Sequence, residues 1–192
     1  QRQMCIRDSN ISSDILRLAD FRILPGIETH VKVKDDWPRL LKRILDADIV
    51  IFATPIWWGN MSSLLQRAIE RMDALNDTLL ETGISPLSNK VGGIVITGAE
   101  DGAQHIIGVL CNFMIWNGLT IPPETSLSYL GSPGKNKSAI KRTFTQKPLD
   151  QMAKKTAQNL AHAVEMIHAR PYPAKAGGII QNIRQGTVGM KQ

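Results

Sequence analysis

A chain of 192 residues, 43% apolar and 21% charged, is long enough to bury a core of its own and reads as one domain. Its two cysteines, Cys5 and Cys111, have neither metal nor redox spacing. That excludes a disulfide framework and makes a reducing cytoplasm the expected location. The net charge of +6 is uneven: residues 1–130 carry 12 Lys/Arg against 15 Asp/Glu, and residues 131–192 carry 11 against 2. A basic C-terminal third suits nucleic acid, a phosphorylated cofactor, an acidic neighbouring subunit or plain solvent. With only Phe144 and Tyr172 to stack bases and no binding motif, no nucleic-acid partner is expected. No apolar run approaches the ~20 residues of a membrane span, and no signal peptide opens the chain.

In chain order, Gln1–Ser9 fits no periodic pattern and reads as a remnant foreign to the natural protein, so residues 1–13 are set apart from a domain over 14–170. Asp14–Asp20 alternates loosely and predicts a short strand. Phe21–Asp36 is a loop, after which Asp36 caps a helix with Pro38 in its first turn and Trp37, Leu40, Leu41, Ile44 and Leu45 on its inner face. Ile49–Ala53 is an unbroken β-branched run without alternation, a strand covered on both faces and ended by Thr54-Pro55. Ser63 and Gln66 read as a capping box opening a helix to about Leu75, with Leu65, Ala68, Ile69 and Met72 inward. A polar connection spans Asn76–Asn89.

The next buried strand is Val91–Thr97, closing on Gly98. The loop Gly98–Gly102 leads to a helix carrying Ile106, Ile107, Leu110, Phe113 and Met114, which Gly118 ends. Leu119–Ile121 begins a third strand before Pro122-Pro123, and Ser126–Leu130 extends it. A basic loop follows, then a helix over Pro148–Arg170 with Leu149, Met152, Ala153, Thr156, Leu160, Ala161, Val164 and Ile167 on one side. Residues 171–192 form a flexible tail or an arm over a partner subunit. Strands alternating with helices imply a doubly wound α/β fold with a parallel sheet.

Two consecutive strands end in loops that feed helix N-termini, where open N–H groups favour an anionic or hydrogen-bonding ligand. The first loop carries Trp57 and Trp58, flat surfaces of which one would border an aromatic ligand while the other packs inward. Plain packing explains either Trp taken alone. Together with the small residues Gly98, Ala99, Gly102 and Ala103, the loops suggest a planar heterocycle whose polar edge meets backbone amides. His105 stands at a helix start, where a surface or capping role is expected. His162 and His168 lack carboxylate or cysteine partners at ligand spacing, so no metal site is expected. Cys111 reads as a buried small residue, and Glu100 and Asp101 as helix-start residues.

From about Ile15 to Ile121 the sequence resembles the flavodoxin-like NAD(P)H-dependent FMN reductases. The resemblance is carried by Leu18-Ala19-Asp20, Asp35-Asp36-Trp37-Pro38, Ala47-Asp48, Thr54-Pro55-Ile56-Trp57-Trp58-Gly59-Asn60-Met61-Ser62-Ser63 and Glu100-Asp101-Gly102-Ala103. It implies a five-stranded parallel sheet of order 2-1-3-4-5 with FMN at the carboxyl ends of the strands. The cofactor-binding residues it implies are Thr54, Pro55, Ile56, Trp57, Trp58, Gly59, Asn60 and Met61 in one loop, and Gly98, Ala99, Glu100, Asp101, Gly102 and Ala103 in the other. It implies reducing equivalents passing from NAD(P)H through FMN to a free flavin, quinone or other small-molecule acceptor, and a homodimer or homotetramer. No side chain is needed as acid or base, so no catalytic residue is assigned.

One departure matters. The family's first strand and phosphate-binding turn have no counterpart here, and Asp14–Asp20 takes the place of its second strand. The expectation is an N-terminally truncated flavoprotein that binds FMN poorly. The basic loop Lys135–Arg142 is expected to approach the nicotinamide nucleotide's phosphate. An electron carrier or FMN-binding module without NAD(P)H turnover is the alternative, against which the basic C-terminal third weighs because such carriers are usually acidic. A cofactor-free α/β interaction domain is a third reading.

Overall fold

The computed structural model describes residues 11–99, 101–131 and 146–173. The elements are α1 (Trp37–Asp46), β1 (Ile49–Pro55), α2 (Ser63–Arg71), a 3₁₀ turn (Met72–Ala74), α3 (Leu75–Thr82), β2 (Val91–Gly98), α4 (Ala103–Trp116), β3 (Ser126–Leu130) and α5 (Gln146–Ala169). Among the described residues the sheet has three parallel strands in the order β1-β2-β3. Ile49 pairs with Val91 and Pro55 with Thr97, while Ile94 pairs with Ser126 and Gly98 with Leu130.

One sheet face, with Phe52, Thr54, Ile94 and Ile96, meets the main core of Trp37, Leu40, Leu65, Ala68, Ile106, Leu110 and Met114. The other carries a smaller cluster of Val91 with Leu160, Ala163 and Ile167 of α5. Gly92 permits the first packing: a Cβ there would lie 2.2 Å from Met114 Sδ. Thr156 Oγ1 donates to Glu124 O (2.9 Å) and Asn159 Nδ2 to Pro123 O (2.7 Å), fixing α5 to the turn before β3.

Several expectations are corrected. Asp14–Asp20 is not a strand: with no strand beside it, its hydrogen bonds stay local, and Leu18–Asp20 forms a 3₁₀ turn. β1 is not covered on both faces, since Ile51 is 47% exposed and the strand has an open edge among the described residues. It also runs through Pro55. The Ile56 N–H bonds Thr97 O (2.8 Å), so alternation turns the Pro55 nitrogen to the open edge, where no ladder bond is lost. Ser62 is the cap of α2, accepting from Leu65 N–H (3.3 Å), while Gln66 bonds Glu70 instead of closing a box. The supposed connection after Leu75 is helical as far as Thr82, and Gly83, at φ 76°, ends it. Leu119–Ile121 makes a single bridge at Thr120, because two prolines interrupt it, and Ser126–Leu130 is the strand. The last helix begins at Gln146, with Met152 exposed and Ala163 buried beside Leu160. Residues 1–10, Glu100, the basic stretch 135–142 and the tail from 174 lie outside the described residues.

Asp36 stands before α1 but does not cap it; its Oδ2 accepts from Arg22 N–H (2.9 Å). Asp35 takes that duty, accepting from Trp37 N–H (3.3 Å) and Leu24 N–H (3.2 Å). Beneath it lies Arg71, fully buried. Its guanidinium donates to the carbonyls of Leu24 (2.9 Å), Glu28 (2.8 Å) and Thr29 (3.2 Å), and Nη2 makes an ion contact with Asp35 Oδ2 at 2.7 Å. The Trp37 ring covers the guanidinium at 5.6 Å. Burial by itself would raise the Asp35 carboxyl, but the Arg71 contact, the two N–H donors and the Arg71 charge outweigh it and hold the group below its ordinary 3.8.

Removing one partner of such a pair strands the other, so Asp35→Ala is expected to cost about 3–5 kcal/mol in urea unfolding. Because the folded carboxyl titrates below the unfolded one, its stabilisation is complete above the unfolded value. It is lost as pH falls through the lower folded value. Wild type should therefore lose stability on acidification below about pH 4, and Asp35→Asn should lose less over that interval.

Candidate functional site

Both loops meet at the carboxyl ends of β1 and β2. Thr54 is buried and works as a clamp: its Oγ1 accepts from Ser62 N–H (2.9 Å) and donates to Pro55 O (2.9 Å), closing the base of the loop. Ile56 is buried against Gly98, where a Cβ would lie 2.9 Å from its side chain. Trp57 and Asn60 exchange backbone hydrogen bonds (Trp57 N–H to Asn60 O, 2.8 Å; Asn60 N–H to Trp57 O, 2.9 Å). Between them Trp58 at φ 50° and Gly59 at φ 76° form a turn with both central residues left-handed. Asn60 Nδ2 reinforces it by donating to Trp58 O (3.1 Å).

The second loop locks onto this turn. Gly102, at φ 132°, lies so close to it that a Cβ would fall 2.5 Å from Gly59 Cα and 2.6 Å from Gly59 O. No side chain fits there. Asn60 Oδ1 is 3.2 Å from His105 Nε2; since the Asn60 amide donates to Trp58 O, Oδ1 accepts and His105 Nε2 carries the proton. His105 thus steadies the first loop from α4. Asp101 Oδ1 accepts from Gly102 N–H (2.7 Å) and does not cap the helix; the cap position is Gly102, without a side-chain bond. The α4 N-terminus is therefore open. Among the described residues no hydrogen bond engages the N–H of Trp58, Gly59, Ala99 or Asp101. Open donors at the end of a parallel sheet suit an uncharged or anionic acceptor edge.

Of the residues expected in the two loops, Thr54, Ile56, Met61 and Ala103 are buried and structural in their side chains. Trp57 is 62% and Trp58 91% exposed, so neither packs inward, contrary to expectation; the turn points both out. Pro55 and Asn60 lie at the base and rim, and Gly98, Ala99, Asp101 and Gly102 form the opposing backbone. A cleft of about 730 Å³ opens behind the turn, lined by Trp57, Asn60, Met61, Ser63, Gln66, His105, Ile106 and Val109. The spacing His105–Val109 on one helix and Ser63–Gln66 on another was the available signal for its walls. His162 and His168 do have carboxylate neighbours, Glu165 at 3.9 Å and Asp48 at 3.3 Å, both at the surface. Among the described residues no group of three or more His, Cys, Asp or Glu is placed to hold a metal ion. Cys111 is half-buried on α4, where burial pushes its thiol up. No described helix is long and apolar enough to cross a membrane.

Residues 3–130 match the family model described as NADPH-dependent FMN reductase. The chain is 32% identical over 193 residues to the divalent metal cation transporter MntH of Mycobacterium bovis, covering 95% of this chain and 27% of that protein. It is 30% identical over 156 residues to the 8-demethyl-8-aminoriboflavin-5'-phosphate synthase of Streptomyces davaonensis, covering 79% of this chain and 60% of that protein. The chain thus spans about a quarter and three fifths of these two curated relatives. The crystal structure of RosB with a bound 8-demethyl-8-formylriboflavin-5'-phosphate intermediate superposes with a TM-score of 0.79 at 24% identity, over 97% of this chain and 78% of that one. The fold is flavodoxin-like.

The Gly59–Gly102 contact sets a mutational expectation. Gly102→Ala forces the two loops apart and strains a left-handed position, at a cost of about 1–3 kcal/mol. Gly108→Ala, on the same helix with nothing within 4 Å of the new Cβ, should be neutral or stabilising. Thermal unfolding of the pair checks this.

Proposed function

The chain belongs to the NADPH-dependent FMN reductase family, and from that premise we propose that it is an FMN-dependent NAD(P)H oxidoreductase acting on a small-molecule acceptor such as a free flavin or quinone. The reading includes a homodimer or homotetramer in a reducing cytoplasm. FMN, when bound, takes up the reducing equivalents of NAD(P)H at its ring and hands them on, which leaves the protein to orient and shield the ring.

Trp58 is the observation that carries this reading. A bulky residue held left-handed costs about 1–2 kcal/mol, and a turn of this type would ordinarily take Asn there. At 91% exposure the side chain recovers almost nothing through burial in the chain itself. A strained, outward aromatic at the carboxyl end of a parallel sheet is accounted for by a planar ligand lying against it. The rest of the site is consistent with that ligand. The open N–H groups of Ala99 and Asp101 and the uncapped start of α4 favour the hydrogen-bonding, electron-rich edge of a flavin and negative charge developing there. Thr54 and the Gly59–Gly102 contact hold the two loops at fixed separation, and His105 fixes Asn60 and through it the Trp58 carbonyl. Residues that would hold the phosphate are not assigned among those described.

Trp58→Asn separates a structural role from a ligand role. It should raise thermal stability by about 1 kcal/mol while weakening flavin binding by about tenfold, measured by equilibrium dialysis. A stabilised variant with unchanged flavin affinity would overturn the placement of the ring. On the flavin-loaded protein, anaerobic NADPH should bleach the flavin absorbance. Bleaching by dithionite alone would favour an electron carrier.

A further inference from the structure

A second cleft, of about 340 Å³, opens at the end of α4 away from the two loops, between that helix, the end of α2 and the segment carrying Ile27. Ile27, Ile69, Met72 and Phe113 give it apolar walls, and its charged members are Glu70 and Asp73. Ile27 is 60% exposed there. The two carboxylates begin an acidic stripe that continues through Asp77 and Glu81 of α3 at helical steps of three and four residues. All four are exposed, and none makes an ion pair with a described residue. Residues 72–89 contain no Lys, Arg or His. Like charges four apart on a helix repel, so Asp73 with Asp77 and Asp77 with Glu81 weaken α3 unless cations lie beside them.

We propose that this acidic, apolar-floored groove is the docking site of the chain's own C-terminal segment, residues 174–192. Three observations select that occupant. The first is charge: the segment carries Lys175, Arg184 and Lys191 and no Asp or Glu, the complement of four carboxylates without cations. The second is its apolar content. Ile179, Ile180 and Ile183 precede Arg184, so aliphatic side chains for the walls come with a cation for the rim. The third is place. Tyr172 N–H donates to Asn89 Oδ1 (2.8 Å) and Asn89 Nδ2 to Tyr172 O (3.3 Å), which fixes where the segment starts. Residues just before Asn89 are joined to the end of α4: Ser85 Oγ donates to Asn117 O (2.6 Å), and a Cβ on Gly118 would lie 3.0 Å from Ser88 Oγ. Asn117 itself lines the cleft. At ~3.3 Å per extended residue, the first few residues beyond Tyr172 reach the groove and the remainder can lie along it. The other basic stretch, Lys135–Arg142, is less well placed. It follows β3 at the carboxyl end of the sheet, where Gly131 N–H bonds Gly98 O (2.8 Å), whereas Asn117 stands by the amino end, where Thr120 bridges Val91.

Amide hydrogen exchange of residues 174–192 in the full chain, followed across a dilution series, tests this. In the wild type these amides should exchange more slowly than in a free peptide of the same sequence, to the same extent at every protein concentration, and protection should fall as salt is raised. Asp73→Lys with Asp77→Lys changes two exposed side chains, and Arg184→Glu leaves every described contact in place; circular dichroism and the thermal midpoint should confirm that both fold. Each should speed exchange of the segment by about tenfold, and combining Asp73→Lys with Arg184→Glu should restore part of the protection. Exchange at the free-peptide rate in the wild type would overturn the proposal. Protection that survives both charge variants would overturn this groove as the site. Protection lost on dilution would seat the segment on a second copy and overturn its docking on its own chain.

Discussion

The Arg71 guanidinium is the charge around which the first third of the structure is arranged. Residues 21–36 belong to no helix or sheet, so their carbonyls have no ladder in which to be satisfied. Three of them, Leu24, Glu28 and Thr29, end on one side chain with five donors in a rigid plane. Arg67, one turn earlier, takes the carbonyl of Ile23 (3.1 Å). Asp35 neutralises the charge and also opens α1, so one ion contact joins α1, the irregular segment and the end of α2. A hydrophobic residue in place of Arg71 could fill the space, but it could not hold an irregular strand of backbone in one shape.

That anchoring reaches the site through α2. With its end fixed by Arg71, the start of the helix is fixed too, and there Ser62 is both cap and partner of Thr54. The loop between Thr54 and Ser62 is closed at its base and must project as a turn. Gly102 then presses on Gly59 and keeps the turn from relaxing. The backbone of the left-handed Trp58 is therefore held by the Trp57–Asn60 pair and the Asn60 amide, and a residue so held can be kept in place against its own preference. The strain sits at the tip of the loop while its compensation is spread over Thr54, Asn60, Gly59, Gly102 and His105.

How much of this was legible in the sequence follows from the range of each interaction. The β-branched runs 49–53 and 91–97 and the glycine- and proline-marked loops after them are local signals, and they locate the sheet and both sides of the site. Arg71 was not legible as a buried group. A charged residue three positions after Ala68 reads as a solvent-facing neighbour of an apolar stripe, and its partners lie in a segment more than 40 residues away. Ile51 misled for the converse reason: an apolar run shows that a strand suits burial, while coverage depends on which elements lie beside it. Leu119–Ile121 is more apolar than Ser126–Leu130, yet only the latter has uninterrupted N–H donors to pair along β2. The contact of Gly59 with Gly102 left a trace, two glycines in two loops, but their distance from each other exists only in the fold.

Helix α4 joins these threads, because one rigid body serves the core, the site and the outer surface. Gly102 stands at its cap position with no side-chain bond, its inner face closes the core over β2, and its outer stripe is uncharged. A helix committed inward on one side and to the Gly59–Gly102 contact at its start has little freedom to change sequence on either account. The outer stripe has no such obligation, and solvent alone would favour charge there. Fourteen residues without one charged side chain leave that stripe uncharged where an exposed helix face ordinarily carries charge. Through His105 and Asn60, that stripe also bears on the turn that holds Trp58. The uncharged outer stripe and the wall of the cleft behind the turn are, in this chain, parts of the same helix.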